Sequence, residues 1–164
     1  MKYIFTDGGA RANGKANCEA SWGYVIVSDD KKTILCSASG LVKKVTIPGK
    51  KYRTSNNRGE LTAIIEGLKC FNKFHPTENR TVVSDSKYAI QCINEWYGNW
   101  LKAGITDKMN MDLLQEIKLG DPLTEYRHVN SHTKEPPARD SENWFYWYFN
   151  DYVDKLCVKE LNMG

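Results

Sequence analysis

The 164-residue chain reads as a single mixed α/β domain, residues 1–164, built on a five-stranded sheet. Three observations predict this. The first 42 residues hold three β-type runs joined by short polar links. Two later strand-like runs, 80–85 and 123–129, each follow a helical stretch. The order βββαβα(α)αβα therefore gives an antiparallel meander, then two parallel strands reached by crossovers, with helices on the sheet faces.

Residues 2–7 predict the first strand, and the Gly-Gly-Ala-Arg-Ala-Asn-Gly stretch that follows predicts a turn-rich loop over 8–17. Residues 20–28 and 33–42 predict the second and third strands, separated by the polar turn Asp29-Asp30-Lys31-Lys32. A loop over 43–55 contains Pro48 and Gly49. Leu61, Ile64, Ile65, Leu68 and Phe71 repeat at helical spacing and predict a helix over 57–74, with Ser55 and Asn56 as caps. Residues 80–85 form the fourth strand, and Ser86 caps a helix to residue 96, with one more turn over 99–103. A helix over 108–119 ends at Gly120 with Pro122 behind it. Residues 123–129 are the fifth strand, 130–143 a polar loop, and 144–161 the last helix.

Composition narrows the class. Apolar residues make up 41% and charged residues 26%, the balance of an ordinary globular protein rather than a disordered or membrane chain. No apolar run approaches the roughly 20 residues that span a bilayer, and the N-terminus lacks a signal peptide's apolar segment. Five scattered cysteines, odd in number and never spaced as C-x-x-C, argue against a disulfide framework or a zinc site. The expectation is an intracellular protein of cytoplasm or nucleus, monomeric, with no membrane partner. Net charge is only +3, but Lys43, Lys44, Lys50, Lys51 and Arg53 crowd one stretch that could face a polyanion.

The informative residues are acids in apolar places. Asp7 and Asp85 end β-type runs, and Glu60 and Asp154 fall in line with the apolar stripes of two helices. A buried lone carboxylate costs several kcal/mol, so core-facing acids need partners. Four that converge need cations, and hard divalent ions with oxygen ligands fit them. Proteins build sites of this kind for attack on a phosphodiester.

Four segments carry these acids, in order: Thr6-Asp7-Gly8-Gly9 with Asn13-Gly14; Ser55-Asn56-Asn57-Arg58-Gly59-Glu60-Leu61; Ser84-Asp85-Ser86-Lys87-Tyr88; and Val129-Asn130-Ser131-His132 with Asn150 and Asp154-Lys155-Leu156. Together they resemble the ribonuclease H family, type 1, over nearly the whole chain. The resemblance implies a ribonuclease H-like fold and an endonuclease that cuts the RNA strand of RNA–DNA hybrids with two Mg²⁺ ions, Mn²⁺ being the expected substitute. It makes Asp7, Glu60, Asp85 and Asp154 the metal-binding catalytic acids, with Asp7 bridging, and favours Asp154 over Asp151. His132 matches the family's loop histidine, which assists proton transfer or product release. Gly8, Gly9, Asn13, Asn56 and Asn57 match groups that contact the hybrid. Arg53, Ser55 and Asn110 match a pocket for a DNA-strand phosphate, and Ser86, Trp96 and Trp100 match a DNA-side channel.

The chain departs from the family twice. The span 101–111 holds only Lys102 and Lys108 where many members carry a lysine-rich protrusion, so the basic stretch 43–53 is expected to take over some of that contact. Between His132 and Asp154 lie six successive aromatics, Trp144 to Phe149. These predict either extra core at the helix start or a platform for nucleic acid or a partner chain.

Overall fold

Strand β1 (Lys2–Arg11) lies at the centre of the sheet because its residues 3–7 are buried on both faces. The computed structural model, which describes residues 1–44, 54–131 and 133–163, orders the sheet β3-β2-β1-β4-β5. Strands β2 (Glu19–Val27) and β3 (Ile34–Leu41) complete the antiparallel meander. Strands β4 (Arg80–Ser84) and β5 (Thr124–His128) pair in parallel on the other side of β1. This is the mixed five-stranded architecture that the pattern predicts.

One core lies on each face. Ile4, Tyr24, Ile26 and Val82 pack under α1 (Asn56–Phe74) through Leu61, Ile64, Ile65 and Phe71. Tyr3, Phe5, Val25 and Val83 pack under α5 (Glu142–Met163) through Phe145, Phe149 and Val153. The alternation of β1 side chains between the two clusters follows from the two-residue strand period. Among the described residues, no helix is long and apolar enough to cross a membrane.

The boundaries differ from expectation at three places. β1 does not stop at residue 7: Gly8–Arg11 stay paired with Glu19–Trp22, and the tight turn begins at Ala12 (φ 57°) and Gly14 (φ 84°). The second helical stretch is α2 (Lys87–Gln91), a π-helical turn (Cys92–Trp96) and α3 (Tyr97–Lys102) in direct succession. The helix expected over 108–119 shrinks to α4 (Met111–Leu114), because Asn110 takes the left-handed conformation (φ 67°) and breaks it.

Candidate active site

Pairing sets two of the acids side by side. Thr6 lies opposite Ser84 in the last pair of the parallel β1–β4 ladder, so Asp7 and Asp85 emerge together where that pairing ends, at the C-terminal end of β4. Open α/β sheets place their sites at this edge. Glu60 arrives from above on α1. Glycine makes that approach possible: a Cβ at Gly8 would stand 2.3 Å from the Glu60 amide nitrogen, and one at Gly59 only 2.4 Å from the Ser21 carbonyl oxygen. No residue with a side chain fits at either position without moving the helix off the sheet.

The last acid depends on how α5 docks. The Cys157 thiol donates to the Asp7 carbonyl oxygen at 3.2 Å, and the Ser21 hydroxyl donates to the Cys157 carbonyl at 3.0 Å. Gly9 and Gly23 leave room for Leu161 and Cys157. Asp154, one turn before Cys157, then lines a cleft of about 230 Å³ with Asp7, Gly8, Asn56, Glu60, Asp85, Ser86 and Ser131.

Asp7, Glu60 and Asp85 each present an oxygen, and these lie within 4.8 Å of one another. Asp7 and Glu60 are only 2% and 3% exposed. The Gly8 amide donates to Asp7 Oδ1 at 2.9 Å, yet Asp7 Oδ2 and Glu60 Oε2 are buried with no hydrogen-bond partner among the described residues. Two ionised carboxylates only accept, so neither can satisfy the other unless one of them holds a proton. Burial first, then the charges of Glu60 and Asp85, push the Asp7 pKa up to about 11. Burial and the Asp85 charge likewise raise Glu60 well above the carboxylate range. Such groups stay protonated unless a cation replaces the proton. The orphaned oxygens, the all-oxygen donor set and the spacing fit hard divalent ions.

Asp151, by contrast, pairs with Lys155 at 2.8 Å. The other expected site residues divide. Asn13 Oδ1 accepts from the Asn56 amide at 3.2 Å, joining the β1–β2 turn to the start of α1, where Asn57 follows half-buried. Ser55 and Ser86 cap α1 and α2 through the Arg58 and Ala89 amides, and Ser86 also faces the cleft. Trp96 and Trp100 are half-buried with ring centroids 6.3 Å apart, and Lys108 Nζ lies 5.7 Å from the Trp100 centroid. Gly8 and Gly9 meet neighbouring protein elements closely, so their missing side chains serve helix docking.

Asn110 departs from expectation. It is 1% exposed, its Oδ1 accepts from Arg58 at 3.1 Å and its Nδ2 donates to the Tyr88 hydroxyl at 3.0 Å. Its carboxamide is committed inside the protein rather than offered to a phosphate. His132, Arg53, Lys50 and Lys51 lie outside the described residues. Sequence reasoning assigned no role to Asn150 and Ser131, which line a smaller cleft with Asp85 and Asp154. The i, i+4 spacing of Asn150 and Asp154 is the signal that could have found the first.

Comparison with known proteins agrees with this geometry. A family model described as RNase H matches residues 1–160. A ribonuclease H of Thermosynechococcus vestitus is 33% identical over 138 residues, 80% of this chain and 78% of that protein. A ribonuclease HI of Helicobacter pylori is 42% identical over 75 residues, covering 46% of this chain and 50% of the relative. Among solved structures, LC9-RNase H1, a type 1 RNase H, superposes with a TM-score of 0.68 at 18% identity, over 96% of this chain and 70% of that one. LC11-RNase H1 in complex with an RNA/DNA hybrid gives 0.62 at 19% identity, over 99% and 98%.

Proposed function

The chain belongs to the RNase H family, type 1, and from that membership we propose that it hydrolyses the RNA strand of RNA–DNA hybrids by a two-metal-ion mechanism, leaving 3′-hydroxyl and 5′-phosphate ends. One observation carries the proposal furthest: three carboxylates within 4.8 Å, two of them buried with an oxygen left unbonded. That arrangement is unstable for a structural core and suited to cation binding. Two Mg²⁺ ions, with Mn²⁺ as the substitute, would supply an activated water and neutralise charge at the scissile phosphate and its leaving oxygen.

The chain's own residues do the rest. Asp7, Glu60, Asp85 and Asp154 would hold the ions; the Gly8 amide orients Asp7 Oδ1 while Oδ2 stays available. Four separate elements fix them, so the site is set before substrate arrives. Asn56 lines the cleft with Glu60, Asn13 is bonded to its amide and Asn57 follows it in the chain; these three are the side chains for sugar and base-edge contact. The 2′-hydroxyls in the wide, shallow minor groove are what such contacts distinguish. His132, from the loop behind β5, is the group for proton transfer or product release. Five free cysteines, among the described residues, suit a reducing intracellular compartment.

The test is Mg²⁺-dependent cleavage of an end-labelled hybrid beside RNA–RNA and DNA–DNA duplexes of the same sequence. Cutting confined to the RNA of the hybrid is expected. If no duplex is cut with Mg²⁺ or Mn²⁺, or if DNA–DNA is cut equally well, the proposal fails.

A further inference from the structure

Six successive aromatics open α5, and the fold divides them. Phe145 and Phe149 are buried against Phe5, at centroid distances of 5.3 and 5.4 Å. The Tyr146 hydroxyl accepts from Arg127 on β5. Of the remaining three, Trp144 and Trp147 reach the loop behind β5. The Trp147 indole N–H donates to the Thr133 carbonyl at 3.0 Å, and the Trp144 indole N–H donates to Glu135 Oε1, also at 3.0 Å. Tyr148 stacks on Trp144 at 4.8 Å with a 21° interplanar angle. Ser141 accepts from the Trp144 amide at 3.1 Å and so fixes the start of the helix.

Two indoles thus grip the loop at points two residues apart. Trp147, Asn150, Asp151 and Asp154 recur at helical spacing on one face, and all four line the small cleft that also holds Asp85, Ser131 and Thr133. The helix that carries a metal-binding acid therefore also carries the anchor of the loop opposite it. A stacking platform would keep its rings open to bases. Here one face of Trp144 is taken by Tyr148, and both indole donors are committed within the protein.

We propose that Trp147 is a positioning residue: through the Thr133 carbonyl it holds the segment behind β5 against the α5 face that carries Asp154. The proposal rests on the hybrid-cleaving function above. His132, the chain neighbour of Thr133, is the residue through which a loosened segment would be felt in turnover.

The experiment compares Trp147→Phe with the wild-type chain in Mg²⁺-dependent hybrid cleavage and in amide hydrogen exchange. Phenylalanine keeps a ring and removes the donor. Expected are a kcat lower by about tenfold, a KM within about twofold, and faster exchange over the loop behind β5, with β1 and β4 unchanged. In a His132→Ala background the same substitution should lower kcat no further. A raised KM with unchanged kcat would overturn the proposal in favour of a nucleic-acid contact, and unchanged kinetics with unchanged exchange would remove the tether altogether. Should Trp147→Phe loosen the whole fold, Trp144→Phe, which cuts only the outer tether at Glu135, should show the same pattern at smaller amplitude; its absence overturns the proposal. A wild-type chain that cuts no hybrid defeats the functional reading instead, and the exchange comparison still reports on the tether.

Discussion

Arg58 and Glu60 stand two residues apart on α1, are 2% and 3% exposed, and live in opposite electrostatic worlds. The Arg58 guanidinium donates to both carboxylate oxygens of Asp112 at 3.0 and 2.8 Å and to Asn110 at 3.1 Å. Asn110 passes the chain of bonds to Tyr88. Glu60 has two neighbouring acids and an oxygen with no hydrogen-bond partner among the described residues. The first region is a closed network, in which the fork of an arginine meets a carboxylate in matching geometry. The second is a crowd of acceptors in which the Gly8 amide meets Asp7 Oδ1, while Asp7 Oδ2 and Glu60 Oε2 have no hydrogen-bond partner among the described residues. A buried charge with a fixed partner ties α1 to α4, whereas buried charges left to repel one another mark a place where an ion belongs.

The largest expected effect breaks the open region. Asp85→Asn keeps the shape and removes one negative charge from the ion-binding set. Hybrid cleavage should fall by about a thousandfold or more, some 4 kcal/mol of transition-state stabilisation. Hybrid binding, measured by anisotropy in Ca²⁺, should stay within a fewfold of wild type. Retained turnover would show that Asp85 is not a ligand. Breaking the closed region should act on stability instead. Arg58→Ala leaves Asp112 and Asn110 facing an empty pocket, and removing one partner of a buried pair costs about 3–5 kcal/mol. Urea unfolding checks this; a loss below about 1 kcal/mol, the level of an exposed pair, would refute the distinction between the two regions.

How each region showed in the sequence follows from the same contrast. The acids were legible because a carboxylate breaks an apolar stripe wherever it occurs, as Glu60 does four residues before Ile64. The antiparallel meander and both crossovers were legible from run lengths and links. The closed network was not. Arg58 sits in a quoted motif but gives no sign of its partners, which lie 52 and 54 residues away. For the same reason the resemblance that matched Asn110 to a phosphate pocket carried no sign that its side chain is buried against Arg58 and Tyr88. The Gly8-Gly9 pair reads as a turn, although its pairing partners on β2 keep it in the sheet. Local sequence carries period and polarity; it does not carry the long-range contact that decides which polar side chain is spent.

Asp7→Asn should reveal the repulsion directly. It removes the cost of holding a proton on a buried acid among other acids, without opening a cavity, so the chain without divalent ions should gain stability while losing cleavage. Each kcal/mol recovered raises the Tm by about 2–4 °C for a chain of this size. A lower Tm would mean that the Asp7 carboxylate is satisfied in a way the geometry does not contain.

The smallest effect is the most discriminating, because the two regions should bend the stability curve in opposite senses. Burial works against ionised Asp112, but the Arg58 guanidinium outweighs it and holds the pKa below the ordinary carboxylate value. That contribution is complete above the unfolded-state pKa and is lost as the pH falls through the folded one. Asp7 runs the other way. With its pKa raised from 3.8 to about 11, the folded chain keeps a proton that the unfolded chain has released across that window. Stability of the ion-free chain should therefore fall as the pH rises from about 5 to 9. Asp112→Asn should flatten the acid limb alone, and Asp7→Asn the neutral-to-alkaline slope alone. Saturating Mg²⁺ should also reduce the alkaline slope, because bound ions favour the ionised carboxylates that the proton otherwise masks. Thermal melts over that range, with and without Mg²⁺, measure all of these slopes; an alkaline slope that neither Mg²⁺ nor Asp7→Asn changes would mean that the clustered acids do not repel one another in the folded chain.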